Sequence, residues 1–342
     1  MGKYQDISIK ALINEINSKY FLPEIQRPFV WKNNKNEFEE KVFSLFDSIL
    51  RGFPIGTFLF WCVDKERIES DNLDLLNFLT VSNENNEKLH SISPDKDYIL
   101  VLDGQQRITI LNLVFNGVFR DQNKKTIRNR NLYFNLLTNF ENDSDTNQQY
   151  YEFKFFDESN GEFYLDNESI WIKVKEIINI SSLAETRKKI LKNYPQFSDD
   201  ETVIEKNLET IKNSINESNL SFYQINKQTQ DDEALEIFVR VNSKGVVLSY
   251  SDLLFSKIKH YWNKEDKESA RTIFESFLNG DTNKDEIQGI NRYGEGFNFS
   301  NDFILKTSLV LLDKEVKYRL KNFNDENISI LKKEWNNISK SI

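Results

Sequence analysis

The sequence holds a single cysteine, Cys62, among 342 residues. That excludes an internal disulfide framework and fits a reducing compartment. Histidine is almost as scarce: His90 lies in a polar loop, and His260 follows the apolar stretch of an expected helix. Two histidines and one cysteine leave too little for a His/Cys zinc site, and little for Cys–His or Ser–His–Asp catalysis. No apolar run is long enough to cross a bilayer. The opening residues, MGKYQDISIKALINEI, lack the apolar core and small-residue cleavage site of a secretory signal. A cytoplasmic protein with no membrane partner is expected. Positive charge is in deficit, with 45 Lys and Arg against 54 Asp and Glu and a net charge of −9. Bulk attraction for nucleic acid is therefore not expected, and contact with DNA would need a local basic patch. The best candidate is the KKTIRNR run from Lys124 to Arg130, for which a solvated loop is the plainer reading. There is no internal repeat, no P-loop and no dinucleotide fingerprint.

What the chain does have is apolar bulk. Hydrophobic residues make up 39% of it, 27 of them Phe, enough for one large domain or two ordinary ones. The most informative stretch is YILVLDGQQRITILNLVFNGVF, residues 98–119. Tyr98–Asp103 is a short apolar run that suits a strand buried on both faces. Gly104 interrupts it, and Ile108, Leu111, Val114, Phe115 and Val118 then recur at helical spacing. Asp103, Gln105, Gln106 and Arg107 cluster at the switch from strand to helix. Backbone N–H groups at a helix start have no intrahelical partner and carry partial positive charge, so such a turn favours anions. Gly104 allows close approach to the backbone, and Arg107 can grip phosphate in bidentate fashion. Asp103 could hold a metal ion or orient a water. One reading is a nucleotide-phosphate site. The other is an ordinary strand-to-helix turn whose amides and arginine cap neighbouring backbone.

In chain order, residues 7–17 have the spacing of a short helix. Two prolines, Pro23 and Pro28, exclude a helix across Tyr20–Trp31, so this segment is extended and carries Gln26 and Arg27. Phe38, Val42, Phe46 and Ile49 stripe a helix over 36–51 that stops at Gly52, and residues 57–63 read as a strand. Residues 64–97 are polar and Asn-rich, an expected excursion over the surface. Strands are expected at 131–136 and 151–155. A turn at Ser159–Gly161 suggests a hairpin to 163–165, and a further strand covers 171–174. The pattern over 181–216 is helical with an interruption near Pro195, and 222–225 reads as another strand. Over 231–258, Ala234, Leu235, Phe238 and Val241 form a helical stripe. Ser249 and Asp252 make a capping box, and the turn between can present Arg240, Asn242 and Lys244. The remainder, 264–342, reads as helical with charged faces.

Three segments together resemble one family. Leu22–Trp31 (LPEIQRPFVW), Asp103–Arg107 (DGQQR) and Phe238–Asn242 (FVRVN) occur in the order of the signatures of the GmrSD-type restriction endonuclease N-terminal domain. Asn242–Leu254 is similar as well, and the resemblance covers roughly residues 5–260. It implies an α+β fold of the ParB/sulfiredoxin-like group: a mixed-sheet nucleotide-binding domain over 1–262, followed by a mainly helical region over 263–342. In that group a strand, a Gly-x-x-Arg turn and a helix hold nucleotide phosphates, a pattern that Gly104–Arg107 fits. It further implies a nucleoside triphosphate partner, hydrolysis with Mg²⁺ or another divalent cation, and service in phage defence with recognition of modified DNA. Under this reading Gln26, Arg27, Gly104, Arg107, Phe238 and Asn242 bind the nucleotide. Asp103 holds the metal, Gln105 or Gln106 orients the attacking water, and Arg107 offsets transition-state charge. Many relatives carry a C-terminal His-Asn-His-type nuclease, but here no histidine follows residue 260. A separate nuclease subunit is then the expected cutting partner. A non-catalytic sensor of nucleotide or modified DNA, or a weak ParB-like nuclease, are the alternatives.

Overall fold

The computed structural model describes residues 2–23, 35–70, 73, 75–123, 126–138, 150–166, 168–217 and 219–229. Beyond these it describes 233, 234, 237, 240, 241, 270–280, 289–314 and 325–342. Two compact units divide the chain at Lys227 and Gln228.

The first unit is α+β. Its larger sheet has six strands, numbered in chain order. β1 (Lys3–Ser8) pairs antiparallel with β11 (Asn219–Ile225), and β11 lies parallel to β3 (Phe58–Val63). β3 is antiparallel to β5 (Tyr98–Asp103), and β5 is parallel to β2 (Tyr20–Pro23). β2 is in turn antiparallel to the short edge strand β4 (Leu75–Leu76). All six residues of β3 are buried, as are the first four of β5, which explains their unbroken apolar sequences. The smaller sheet is antiparallel. It runs β6 (Phe119–Asn123), β7 (Thr126–Asn135), β10 (Ile170–Lys173), β9 (Phe163–Leu165), with β8 (Phe153–Asp157) also on β7.

Helices fill the space about these sheets. The segment read as a helix over 7–17 begins as β1, and α1 occupies Ile9–Glu15, its start capped by Ser8 Oγ accepting from the Ala11 N–H at 3.2 Å. α2 (Lys35–Leu50) buries the expected stripe of Phe38, Val42, Phe46 and Ile49. α4 (Gln105–Phe115) is more deeply set than an amphipathic stripe implies: every residue from Ile108 to Phe115 is buried. Its buried Asn112 is satisfied from outside the helix, with Nδ2 donating to the Leu79 carbonyl at 2.9 Å. α5 (Leu183–Asn193) and α6 (Glu201–Asn216) flank a 3₁₀ turn starting at Pro195, as the interruption predicts. One core collects side chains from both sheets and from α1, α2, α4 and α6.

Three expectations are corrected. Residues 64–97 are not simply a surface excursion. They contain α3 (Lys65–Ser70) and β4, and Ile68, Leu75, Phe78 and Leu79 are buried. Asn17 pins this segment, donating to the Phe78 carbonyl at 3.0 Å and accepting from the Phe78 N–H at 2.6 Å. Residues 126–130 are not a loop but the first half of β7, and Arg130 there is neutralised by Glu39 and Asp121, each at 2.8 Å. The 153–157 and 163–165 strands do not form a hairpin, because β8 pairs with β7 and β9 with β10.

The second unit is helical where described. α7 (Ala270–Asn279), α8 (Asn301–Leu311) and α9 (Asp325–Ser341) share a core of Phe274, Leu278, Ile304, Leu305, Ile328 and Leu331. The stripe and capping box read over 231–258 lie almost wholly outside the described residues.

Candidate functional site

The strand–turn–helix read from the sequence is present: β5 ends at Asp103, Gly104 turns the chain, and α4 starts at Gln105. Gly104 sits at the N-cap with φ +86°, in the left-handed region where a side chain is strained. A Cβ there would fall 2.2 Å from Phe58 Cδ1, so the close approach this glycine permits is by the Phe58 ring. No side chain caps the helix, and its first backbone bond runs from the Ile108 N–H to the Gly104 carbonyl at 3.0 Å. The first-turn amides therefore lie outside the intrahelical ladder.

Arg107 folds back over its own turn. Its guanidinium donates to the Ile55 carbonyl, to the Thr57 carbonyl at 3.3 Å and loosely to Asp103 Oδ2 at 3.5 Å. The Phe58 ring centre lies 4.5 Å from its Cζ. The side chains of Arg107 and Asp103 retain 20% and 32% exposure, so the pair sits at the surface of the turn and is not sealed inside it. Burial pulls the guanidinium below its ordinary pKa range, and Asp103 partly offsets this. An arginine remains charged at neutral pH through such a shift. The two glutamines of the pentapeptide separate. Gln105 is buried and donates from Nε2 to the Val101 carbonyl at 2.6 Å, bracing the turn from inside. Gln106 is only partly buried.

Ile55, Thr57 and Phe58 are site residues that sequence reasoning missed. They reach Arg107 because β3 and β5 are antiparallel, with Leu59 opposite Asp103, so the start of one strand adjoins the end of the other. The available signal was Gly52-Phe53-Pro54-Ile55-Gly56, a turn with two glycines. Both have positive φ, +68° at Gly52 and +88° at Gly56, and a Cβ on Gly56 would lie 2.5 Å from Arg107 Nη1. The same loop lines an open cleft of about 440 Å³ together with Ile9, Ile49, Leu220 and Ser221.

Gln26, Arg27, Phe238 and Asn242 lie outside the described residues. Among the described residues no three His, Cys, Asp or Glu side chains come together as a metal cage. One partly exposed carboxylate, Asp103, suits a hard cation that takes its other ligands from water and phosphate oxygens, and not a cation held by protein alone. No helix among the described residues is long and apolar enough to cross a membrane.

A mixed sheet whose buried strand ends at a glycine N-cap, with an arginine and a carboxylate at the turn, defines an α+β domain with a helix start that no side chain caps. The chain belongs to the family described as GmrSD restriction endonuclease, N-terminal domain, which matches residues 9–259. This family ties the chain to restriction-type defence modules. No curated protein matches it.

Proposed function

We propose that this chain binds a nucleoside triphosphate at the Asp103–Arg107 turn and hydrolyses it with a divalent cation, as the switch of a restriction-type phage-defence system. In this reading the larger sheet is a ParB/sulfiredoxin-like nucleotide-binding fold. The observation that carries the proposal is the geometry of Arg107: a guanidinium held at an uncapped helix start by two neutral carbonyls and one distant carboxylate. A guanidinium offers five N–H donors and these contacts use three, so Arg107 can keep the loop carbonyls and still donate to a phosphate oxygen, a pairing stronger than one to a neutral acceptor.

Roles follow from chemistry. Arg107, with Arg27, offsets the charge of the polyphosphate tail and of the transferring phosphoryl group. Asp103 would hold Mg²⁺ directly or through water, and the cation would polarise the phosphate oxygens. Gln106 orients the attacking water, while Gln105 holds the turn that carries it. The hydrolytic cycle gates a separate nuclease subunit and reports on modified DNA. A second reading, a nucleotide sensor without turnover, is favoured by the buried Gln105, which takes one of the two glutamines away from any water.

Phosphate release by the purified chain, with and without DNA, separates the two. Arg107→Ala is expected to lower triphosphate affinity about 10- to 100-fold, the worth of one or two charge-assisted bonds. Unchanged affinity and unchanged turnover in that variant would sink the assignment.

A further inference from the structure

Phosphate contacts leave an energetic gap. Two arginines and a helix start fall short of micromolar affinity once the costs of association are met. Contacts to the uncharged part of the ligand must close it. The 440 Å³ cleft is where they can be made. It lies within the size range of small-ligand sites. Its wall is the 52–57 loop whose Ile55 and Thr57 carbonyls Arg107 holds, so cleft and turn share one piece of backbone.

Charge divides their roles. None of the cleft's lining residues is a Lys or Arg, and Ser221 in its wall donates to the exposed Asp6 carboxylate at 2.6 Å. An anionic tail gains nothing there. Apolar surface from Phe53, Pro54 and Ile55 beside the Thr57 and Ser221 side chains suits a flat heterocycle and a sugar. At the rim Phe53 is 49% exposed, with the Arg51 guanidinium 4.1 Å from its ring centre and Arg51 itself backed by Tyr150 at 3.9 Å. The ring is thus braced on one face while half its surface meets solvent.

We infer that the cleft behind the 52–57 loop is the nucleoside subsite of the phosphate turn, with Phe53 stacking on the base. The inference rests on the nucleotide reading above. It makes Arg107 a positioning residue for the subsite too, since it fixes the loop that forms the wall.

The test is calorimetric titration of the full chain with ATP, GTP, CTP and UTP, and with inorganic tripolyphosphate. The unaltered chain binds at least one nucleotide more tightly than tripolyphosphate. Phe53→Ala weakens that nucleotide about tenfold, as loss of one base–aromatic stack should, and leaves tripolyphosphate within about twofold. Ser221→Leu, at an exposed position and with an unchanged far-ultraviolet spectrum as the check on folding, narrows the cleft and has the same selective effect. Equal effects on nucleotide and tripolyphosphate, no effect on either, or no preference for a nucleotide in the unaltered chain would each overturn the subsite. Arg107→Ala tells this failure from the other. If it weakens tripolyphosphate the phosphate turn stands without the subsite, and if it changes neither ligand the turn itself is wrong.

Discussion

Gly104 answers to two demands at once. Its φ of +86° costs any L side chain about 1–2 kcal/mol, and the Phe58 ring fills the space a Cβ would need. Overpacking of that kind adds about 1–3 kcal/mol. Gly104→Ala should therefore destabilise the domain by about 2–5 kcal/mol in urea unfolding, independent of any ligand. A loss under about 0.5 kcal/mol would mean that the ring moves aside freely. The pentapeptide is legible as a candidate site because its residue types are local and chemical: a glycine, an arginine and a carboxylate at one strand end. The partners of Arg107 were not legible. Two are backbone carbonyls about fifty positions away, at Ile55 and Thr57, and a carbonyl leaves no mark in the sequence. Only the antiparallel register of two strands brings them in.

Elements with a clean period were readable, and elements buried on every side were readable only in part. The stripe of α2 and the apolar run of β3 appear where their patterns put them. α4 looked amphipathic because its apolar residues recur at helical spacing, yet Thr109 and Asn112 are buried with them. The 64–97 segment reads as a surface excursion because its apolar cluster over 73–81, with Phe78 and Leu79 in it, is short and set in a long polar stretch, yet that cluster anchors the segment. β2 offers a test of how firmly a short strand is set. Tyr20, 4% exposed, packs on Phe60 with ring centres 5.3 Å apart, and its hydroxyl is pushed up from 10.0 to about 12, by burial first and the Glu15 charge second. The unfolded chain loses this proton near pH 10 while the folded chain keeps it to about 12. The contribution is thus fully present below pH 10 and is lost as pH rises to about 12, amounting to about 2–3 kcal/mol. Tyr20→Phe keeps the ring and removes the proton, so its stability should fall less steeply across that window. Tyr133 and Tyr151, also raised by burial, account for slope that remains. Parallel pH profiles for Tyr20→Phe and the unaltered chain would refute the account.

At the scale of the molecule, the net charge of −9 gains meaning from where the basic residues go. Arg130 pairs with Glu39 and Asp121, and Arg120 with Glu84 at 2.8 Å, so arginines around the supposed basic run serve the fold. Charge of this kind brings no sequence-blind affinity for DNA, and a DNA contact must come through specific groups. The division at Lys227 carries a sharper consequence. β11 ends at Ile225 and completes the six-stranded sheet, and the core of the first unit draws on that sheet, its helices and the smaller sheet. A unit with its own core is expected to fold alone. A fragment of residues 1–229 should therefore unfold cooperatively in urea, with the far-ultraviolet and aromatic signals lost together. It retains Arg27 and the whole Asp103–Arg107 turn but lacks Phe238 and Asn242. If those two residues bind the nucleotide, as the family resemblance implies, the fragment still binds the triphosphate through the turn but about tenfold more weakly, the worth of one polar contact. A fragment that unfolds without cooperativity would show that the family's 9–259 span, and not the boundary at Lys227, marks the smallest stable piece.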